Sequence, residues 1–148
     1  ERVLFMPEFD DKKGTIISLL SRALKGYDGF GIDRSRLNNR AQTLIETMRE
    51  LTENHQDTDF YFIMGSDMVG YLSQHEDAVA LAELVQLVGV QRPGFRTGTS
   101  LPILWVDVPQ IAISSTGLRE MMHQGNTPQF LIPDAVLEFI KERSLYGL

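Results

Sequence analysis

Cysteine is absent from the 148 residues. That removes a disulfide framework, a thiolate zinc site and a thiol nucleophile from consideration. It also fits a cytoplasmic protein, which is the expectation here. Histidine occurs three times, as His55, His75 and His123. These share no metal-ligand spacing and form no His-Glu-x-x-His pattern, so no protein metal site is expected. Positive charge is scarce: 14 Lys and Arg against 20 Asp and Glu give a net charge of -6 and a pI near 5.0. Such a surface argues against nucleic acid and anionic membrane as partners. It leaves room for a small anion, for which one well-placed Arg suffices. No apolar run approaches the roughly 18–20 residues of a membrane span. The chain opens on Glu1-Arg2 and passes at once into an apolar run, without the pattern of a signal peptide. There is no internal repeat, low-complexity tract or linker.

What is present is ordinary for a globular domain: 43% hydrophobic and 23% charged residues. The length suits one domain over residues 1–148 with a sizeable core. Val3 to Met6 is a short apolar run stopped by Pro7, and residues 8–14 form a charged loop. Ile16, Ile17, Leu19, Leu20, Ala23 and Leu24 recur at helical spacing, with Gly26 as a stop. Phe30 and Ile32 mark a short strand, and 37–39 a turn. An amphipathic helix is expected over about 40–54. Phe60–Met64 reads as a buried strand closed by Gly65, with a helix from Ser66 or Asp67. A further helix ends at Leu81–Leu84. Strands follow at Val85–Val90 and Leu101–Val108, and helices open at Ser114–Thr116 and Pro133-Asp134. Alternation of strand and helix defines an α/β fold, a parallel sheet with helices on both faces.

In such sheets ligands bind beyond the carboxyl ends of the strands. The segment Ile113-Ser114-Ser115-Thr116-Gly117-Leu118-Arg119 is the strongest candidate. Its hydroxyls stand where a helix begins, and a helix start offers free N–H groups and partial positive charge to an anion. Arg119 falls on the same helix face as Ser115 and Thr116. Read alone, the cluster is more often an ordinary N-cap, because Ser and Thr are common there. Gly65-Ser66-Asp67 is the second candidate. Gly65 allows a close backbone approach, and Asp67 can accept from a ribose hydroxyl; a strand-to-helix turn capped by Ser66 or Asp67 explains the same residues. Third, Arg92 in Gln91-Arg92-Pro93-Gly94 can reach a phosphate or simply flank a turn. Asp10-Asp11 has the look of a phospho-acceptor pair but lacks a matching acceptor Asp at the end of a later strand.

Taken in order, these segments resemble bacterial nicotinate-nucleotide adenylyltransferases. The resemblance is carried by Phe60-Tyr61-Phe62-Ile63-Met64-Gly65-Ser66-Asp67-Met68, by Val90-Gln91-Arg92-Pro93-Gly94-Phe95, and by Ile113-Ser114-Ser115-Thr116-x-x-Arg119. The ending Phe130-Leu131-Ile132-Pro133-Asp134-x-Val136-x-x-Phe139-Ile140, closing on Leu145-Tyr146-Gly147, adds to it, as does Val3-Leu4-Phe5-Met6-Pro7. It implies a Rossmann-like nucleotidylyltransferase fold. It also implies transfer of AMP from MgATP to nicotinate mononucleotide, giving nicotinate adenine dinucleotide, a step of NAD biosynthesis. By the same resemblance Ser115, Thr116 and Arg119 hold ATP phosphates, with Ile113 and Ser114 lining that site. Gly65 and Asp67 meet the nucleotide near its ribose, and Arg92 and Thr47 stand at the substrate side.

The chain also departs from the family pattern. The segment Gly-Gly-Thr-Phe-x-Pro-x-His-x-Gly-His, whose histidines stabilise the transferring phosphate, has no counterpart. Catalytic residues are therefore left unassigned. The Pro-Pro-His-Lys stretch expected after Met6-Pro7 is replaced by Glu8-Phe9-Asp10-Asp11-Lys12-Lys13. The family's Ser-Tyr-Thr falls at Gln42-Thr43-Leu44, and its nicotinate-stacking Trp falls near His75. On this reading the domain lacks its first strand and loop, and slow or absent transfer is expected of the chain alone. The exposed sheet edge that results invites a homo-oligomer. The alternative is a diverged relative that binds a nucleotide or a protein partner without catalysis.

Overall fold

A computed structural model describes residues 1–7, 13–37, 43–91, 98–109 and 111–148. Of the loop expected at residues 8–14, residues 8–12 with the acidic pair Asp10-Asp11 lie outside the described residues, as does Arg92, whereas Lys13 and Gly14 belong to a helix. The chain divides into two compact units, Glu1–Arg40 with Ala112–Leu148, and Ala41–Ile111.

In the first unit, strand β1 (Val3–Phe5) pairs in parallel with β2 (Phe30–Ile32), Leu4 opposite Gly31. Helix α1 (Lys13–Ala23) joins them, and Gly26 ends its turn at φ 88°, a left-handed conformation that suits glycine. Helices α5 (Ser115–His123) and α6 (Asp134–Glu142) complete the unit. The α6 positions Val136, Leu137, Phe139 and Ile140 are all buried, the stripe expected from its 3.6-residue period. Met122 joins Val136 and Ile140 in a core against which Leu19, Ala23, Leu118 and Ile132 pack. Arg22 of α1 lies 4.2 Å from the centre of the Phe139 ring, and Arg143 lies 5.6 Å from it. Each cation–π contact is worth roughly 0.5–1 kcal/mol at a partly exposed site.

The second unit is built on three parallel strands in the order β3 (Tyr61–Gly65), β4 (Gln86–Val90), β5 (Ile103–Val106). Helices α2 (Leu44–Asn54), α3 (Ser66–Leu72) and α4 (Ala78–Leu84) accompany them. β4 is central and reads Gln-Leu-Val-Gly-Val, with Leu87, Val88 and Gly89 buried in succession. A continuous apolar run of this kind is expected of a parallel strand covered on both sides. Leu81 of α4, Val69 of α3 and Met48 of α2 are buried with it. On the flanking strands the burial alternates. Phe62 and Met64 point inward, while Ile63 and Leu104 are 56% and 51% exposed.

Parallel pairing of strands separated by helices is the α/β class expected from the sequence. Several boundaries differ by a few residues, two of them for a visible reason. The helix expected from about residue 40 begins at Leu44, because Thr43 and Glu46 form a capping box. The Thr43 Oγ1 accepts from the Glu46 amide at 3.3 Å, and the Glu46 carboxylate accepts from the Thr43 amide at 2.7 Å. The strand expected over Leu101–Val108 is confined to Ile103–Val106. It starts directly after Pro102, which has no N–H to give a ladder. Among the described residues, no helix is long and apolar enough to cross a membrane.

Two consequences are measurable. A Cβ on Gly89 would lie 2.6 and 2.7 Å from two carbons of the Trp105 ring on the neighbouring strand. Gly89→Ala should therefore cost about 1–3 kcal/mol in urea denaturation, the scale of an overpacked core. An unchanged midpoint would mean that the indole swings clear without penalty. The hydrogen bonds from the Thr43 amide and hydroxyl hold the Glu46 carboxyl below its ordinary pKa. Its contribution is present above the unfolded-state pKa and is lost as pH falls through the depressed folded value. Wild type and Glu46→Gln should thus differ in stability at neutral pH and converge in acid.

Candidate functional site

The start of α5 is set by Ser114. Its backbone is extended (φ -131°, ψ 149°) and its Oγ accepts from the Gly117 amide at 3.1 Å. The Leu118 amide donates to the Ser114 carbonyl at 3.0 Å, closing the first turn. The cap is therefore Ser114 itself. The amides of Ser115 and Thr116 come ahead of the first intrahelical bond, at the electropositive end of the helix. Ile113, Ser114, Ser115, Thr116 and Arg119 are all exposed. The Arg119 guanidinium reaches back to the Thr116 Oγ1 at 3.5 Å, a long contact that holds it over the first turn. Amides, hydroxyls and one cation thus share a single exposed turn. That arrangement can take a phosphate by charge-assisted hydrogen bonds.

Ser115 and Arg119 also border an apolar cleft of about 390 Å³ within the first unit, floored by α1, α5 and α6. Local sequence offered no sign of this cleft, since it needs side chains from helices far apart in the chain. Their apolar periodicity places residues such as Leu19 and Ile140 inward but does not say that a space is left between them.

In the second unit, Gly65 ends β3 and is the N-cap of α3, with φ -73° and ψ 159° and no side-chain cap bond. Neither Ser66 nor Asp67 is the cap. Ser66 is buried, and Asp67 sits exposed in the first helical turn, where a carboxylate is favoured by the helix dipole. Gly65 is opposite Val90, and Val90 is opposite Val106, so the three strands reach their carboxyl ends in one row. Gly65 and Asp67 therefore stand at the edge of the sheet where ligands of such folds are held. Thr47 is 1% exposed and its hydroxyl donates to the Thr43 carbonyl at 2.9 Å, a bond within α2. The cavity of about 450 Å³ lined by Thr58–Tyr61 and Ala82–Gln86 lies at the opposite, amino end of β3 and β4. Among the described residues no group of three or more His, Asp or Glu is placed to hold a metal ion.

The backbone defines a class first. Two solved structures of the Plasmodium falciparum nicotinic acid mononucleotide adenylyltransferase share its fold. The one complexed with APC matches 98% of this chain and 82% of its own at a TM-score of 0.77 and 15% identity. The one complexed with NaAD has the same coverage at a TM-score of 0.71 and 14% identity. These likenesses establish a mixed α/β fold shared with those structures. Sequence relatives are much nearer. A Streptococcus pneumoniae protein named "Probable nicotinate-nucleotide adenylyltransferase" is 43% identical over 156 aligned residues, covering 99% of this chain and 75% of the relative. A Streptococcus mutans protein of the same name is 40% identical over 99% of this chain and 74% of the relative. No protein-family model matches the chain. The chain belongs to the nicotinate-nucleotide adenylyltransferase family, a family of nucleotidyltransferase enzymes.

The cap can be tested by itself. Ser114→Ala should destabilise the protein by about 0.5–2 kcal/mol, whereas Ser114→Asp, which keeps an acceptor, should not. Thermal unfolding of the two variants side by side reads the difference. Equal loss in both would assign the cap to another group.

Proposed function

We propose that this chain carries the nucleotide-binding part of an enzyme that transfers AMP from ATP to nicotinate mononucleotide, with the start of α5 as its phosphate site. The observation that carries the reading is the exposed first turn of α5, where two leading amides, the Ser115 and Thr116 hydroxyls and the Arg119 guanidinium converge. Membership of the adenylyltransferase family supports the chemistry assigned to it.

In the reaction a phosphate oxygen of nicotinate mononucleotide attacks the α-phosphorus of ATP. A P–O bond forms, the bond to the β-phosphate bridge breaks, and pyrophosphate leaves. Charge grows on the departing phosphates, so fixed donors aimed at them lower the barrier, and holding the two anions in line supplies much of the rest. Ser115, Thr116 and Arg119 serve that role on the ATP phosphates, with Ile113 and Ser114 at the wall of the site. Gly65 and Asp67 are assigned to the ribose side. Arg92 and Thr47 are assigned to the acceptor side, Thr47 through its place on α2 since its proton is engaged within the helix. Mg²⁺ enters as the MgATP complex, where the phosphates provide its oxygen ligands. A cytoplasmic setting, where ATP is available, fits the cysteine-free composition.

Arg119→Ala should weaken ATP binding by about 1.5–3 kcal/mol, the scale of a hydrogen bond to a charged group. Titration calorimetry with ATP reads it directly, and an unchanged affinity would move the phosphate site away from α5. Release of pyrophosphate that requires both ATP and nicotinate mononucleotide tests the transfer. Nucleotide binding with release independent of the second substrate would count against this acceptor.

A further inference from the structure

Asp28-Gly29 is the one place in the chain where an Asp or Asn precedes a Gly. Such a pair has a chemistry of its own. The amide nitrogen that follows an Asp can attack the carbonyl carbon of its side chain, and a glycine hinders the attack least because it has no Cβ. In a folded chain the outcome depends on what surrounds that nitrogen and that carboxyl.

Here the surroundings are open. Asp28 and Gly29 are both exposed, in the connection between α1 and β2. The Tyr27 carbonyl accepts from the Phe30 amide at 3.2 Å, so Asp28 and Gly29 are the two central residues of a β-turn. The groups around them are engaged. The Tyr27 amide donates to the Leu24 carbonyl at 3.2 Å, and the Gly29 carbonyl accepts from the Val3 amide at 2.9 Å. Among the described residues the Gly29 amide donates to nothing and the Asp28 carboxylate accepts from nothing. A Cβ built on Gly29 would meet no atom within 4 Å. Asp33, beyond β2, is the contrast. Its carboxylate accepts from the Ser35 amide at 2.7 Å, and an Arg follows it in the chain.

We infer that Asp28-Gly29 is a site of spontaneous isoaspartate formation in the folded chain. The step needs no reactant but water. A bond forms between the Gly29 nitrogen and the Asp28 Cγ. A C–O bond of the carboxyl breaks, its oxygen leaves as water with the amide proton, and a five-membered succinimide closes. Water then adds to one of the two ring carbonyls. Breaking the C–N bond at Cγ restores Asp. Breaking it at the Asp28 main-chain carbonyl leaves the chain running through Cγ, with a free α-carboxylate. Mass and charge are unchanged, but the main chain has gained one carbon–carbon bond of about 1.5 Å. That bond enters the turn between the Tyr27 carbonyl and the Phe30 amide and lengthens the ring that their hydrogen bond closes. The first rung between β1 and β2, at the Gly29 carbonyl, comes directly after it. So does the edge contact of Tyr27 with Phe30, 5.8 Å between ring centroids. The modification therefore loosens the pairing of β1 with β2.

Ageing the purified chain for several weeks at neutral pH and physiological temperature tests this. Trypsin should then release residues 26–34 as two chromatographic peaks of equal mass, the second growing with time. Electron-transfer fragmentation should place the isoaspartyl bond at Asp28 and leave Asp33 normal. The new α-carboxylate should take up a labelled methyl group from S-adenosylmethionine through an isoaspartyl carboxyl methyltransferase. Gly29→Ala, which the open space tolerates, should slow the conversion severalfold. Asp28→Glu, whose ring would need six members, should abolish it. The isoaspartyl form should melt about 2–4 °C below the fresh protein, the shift that loss of one hydrogen bond gives. A single peak that takes up no methyl group, under conditions that convert the synthetic peptide 26–34, overturns the inference. So does an Asp28→Glu variant that forms the second peak as fast as wild type. Equal melting of the two forms would overturn the effect on β1 and β2.

Discussion

Parallel pairing is the constraint on which the rest of the second unit depends. Strands that run the same way must be joined by crossovers, and their carboxyl ends emerge together. Gly65, Val90 and Val106 form that row. Between β3 and β4 the crossover is made by α3 and α4, whose Val69, Leu72 and Leu81 are buried. Everything that leaves the carboxyl edge, Asp67 first among it, is thereby offered to one side of the sheet. The close approach of Gly89 and Trp105 belongs to the same constraint. A central strand with neighbours on both sides admits a large ring across it only where its own side chain is missing.

At α5 the hydroxyl residues look interchangeable in sequence but have different structural duties. Ser114 accepts from the Gly117 amide and so fixes where the helix begins. Thr116 faces Arg119, whose guanidinium reaches its hydroxyl at 3.5 Å. Ser115 lies between them at the border of the cleft. Capping and anion binding are not rival explanations of this cluster. The cap holds the two leading amides in place, where the phosphate site is proposed.

Much of this was legible in the sequence, for definable reasons. Phe60 to Gly65 is an unbroken apolar run ended by glycine, and Ser114–Thr116 precede a helical period, so both elements fall where expected. The start of α2 lies later than its apolar period suggests, because Thr43-x-x-Glu46 closes a capping box that fixes the first turn at Leu44. Thr47 owes its place on the substrate side to the family resemblance alone; that it is buried and bonded to the Thr43 carbonyl is information only the structure carries. Phe130 stands in an apolar stretch with Leu131 and Ile132 yet is exposed, with its backbone at φ 66°, a conformation that no local pattern announces. Arg92 and the acidic pair at Asp10-Asp11 stay at the level of sequence, since they lie outside the described residues.

The sole tryptophan of the chain is Trp105, packed on Gly89 in the second unit. Indole fluorescence therefore watches one sheet and nothing else. Emission will follow the melting of β4 and β5, but the first unit contributes no indole signal of its own. A titration at α5 has no such reporter beside it in that unit. The protein comes with a single optical label already installed, and its location decides which half of the molecule an experimenter can see.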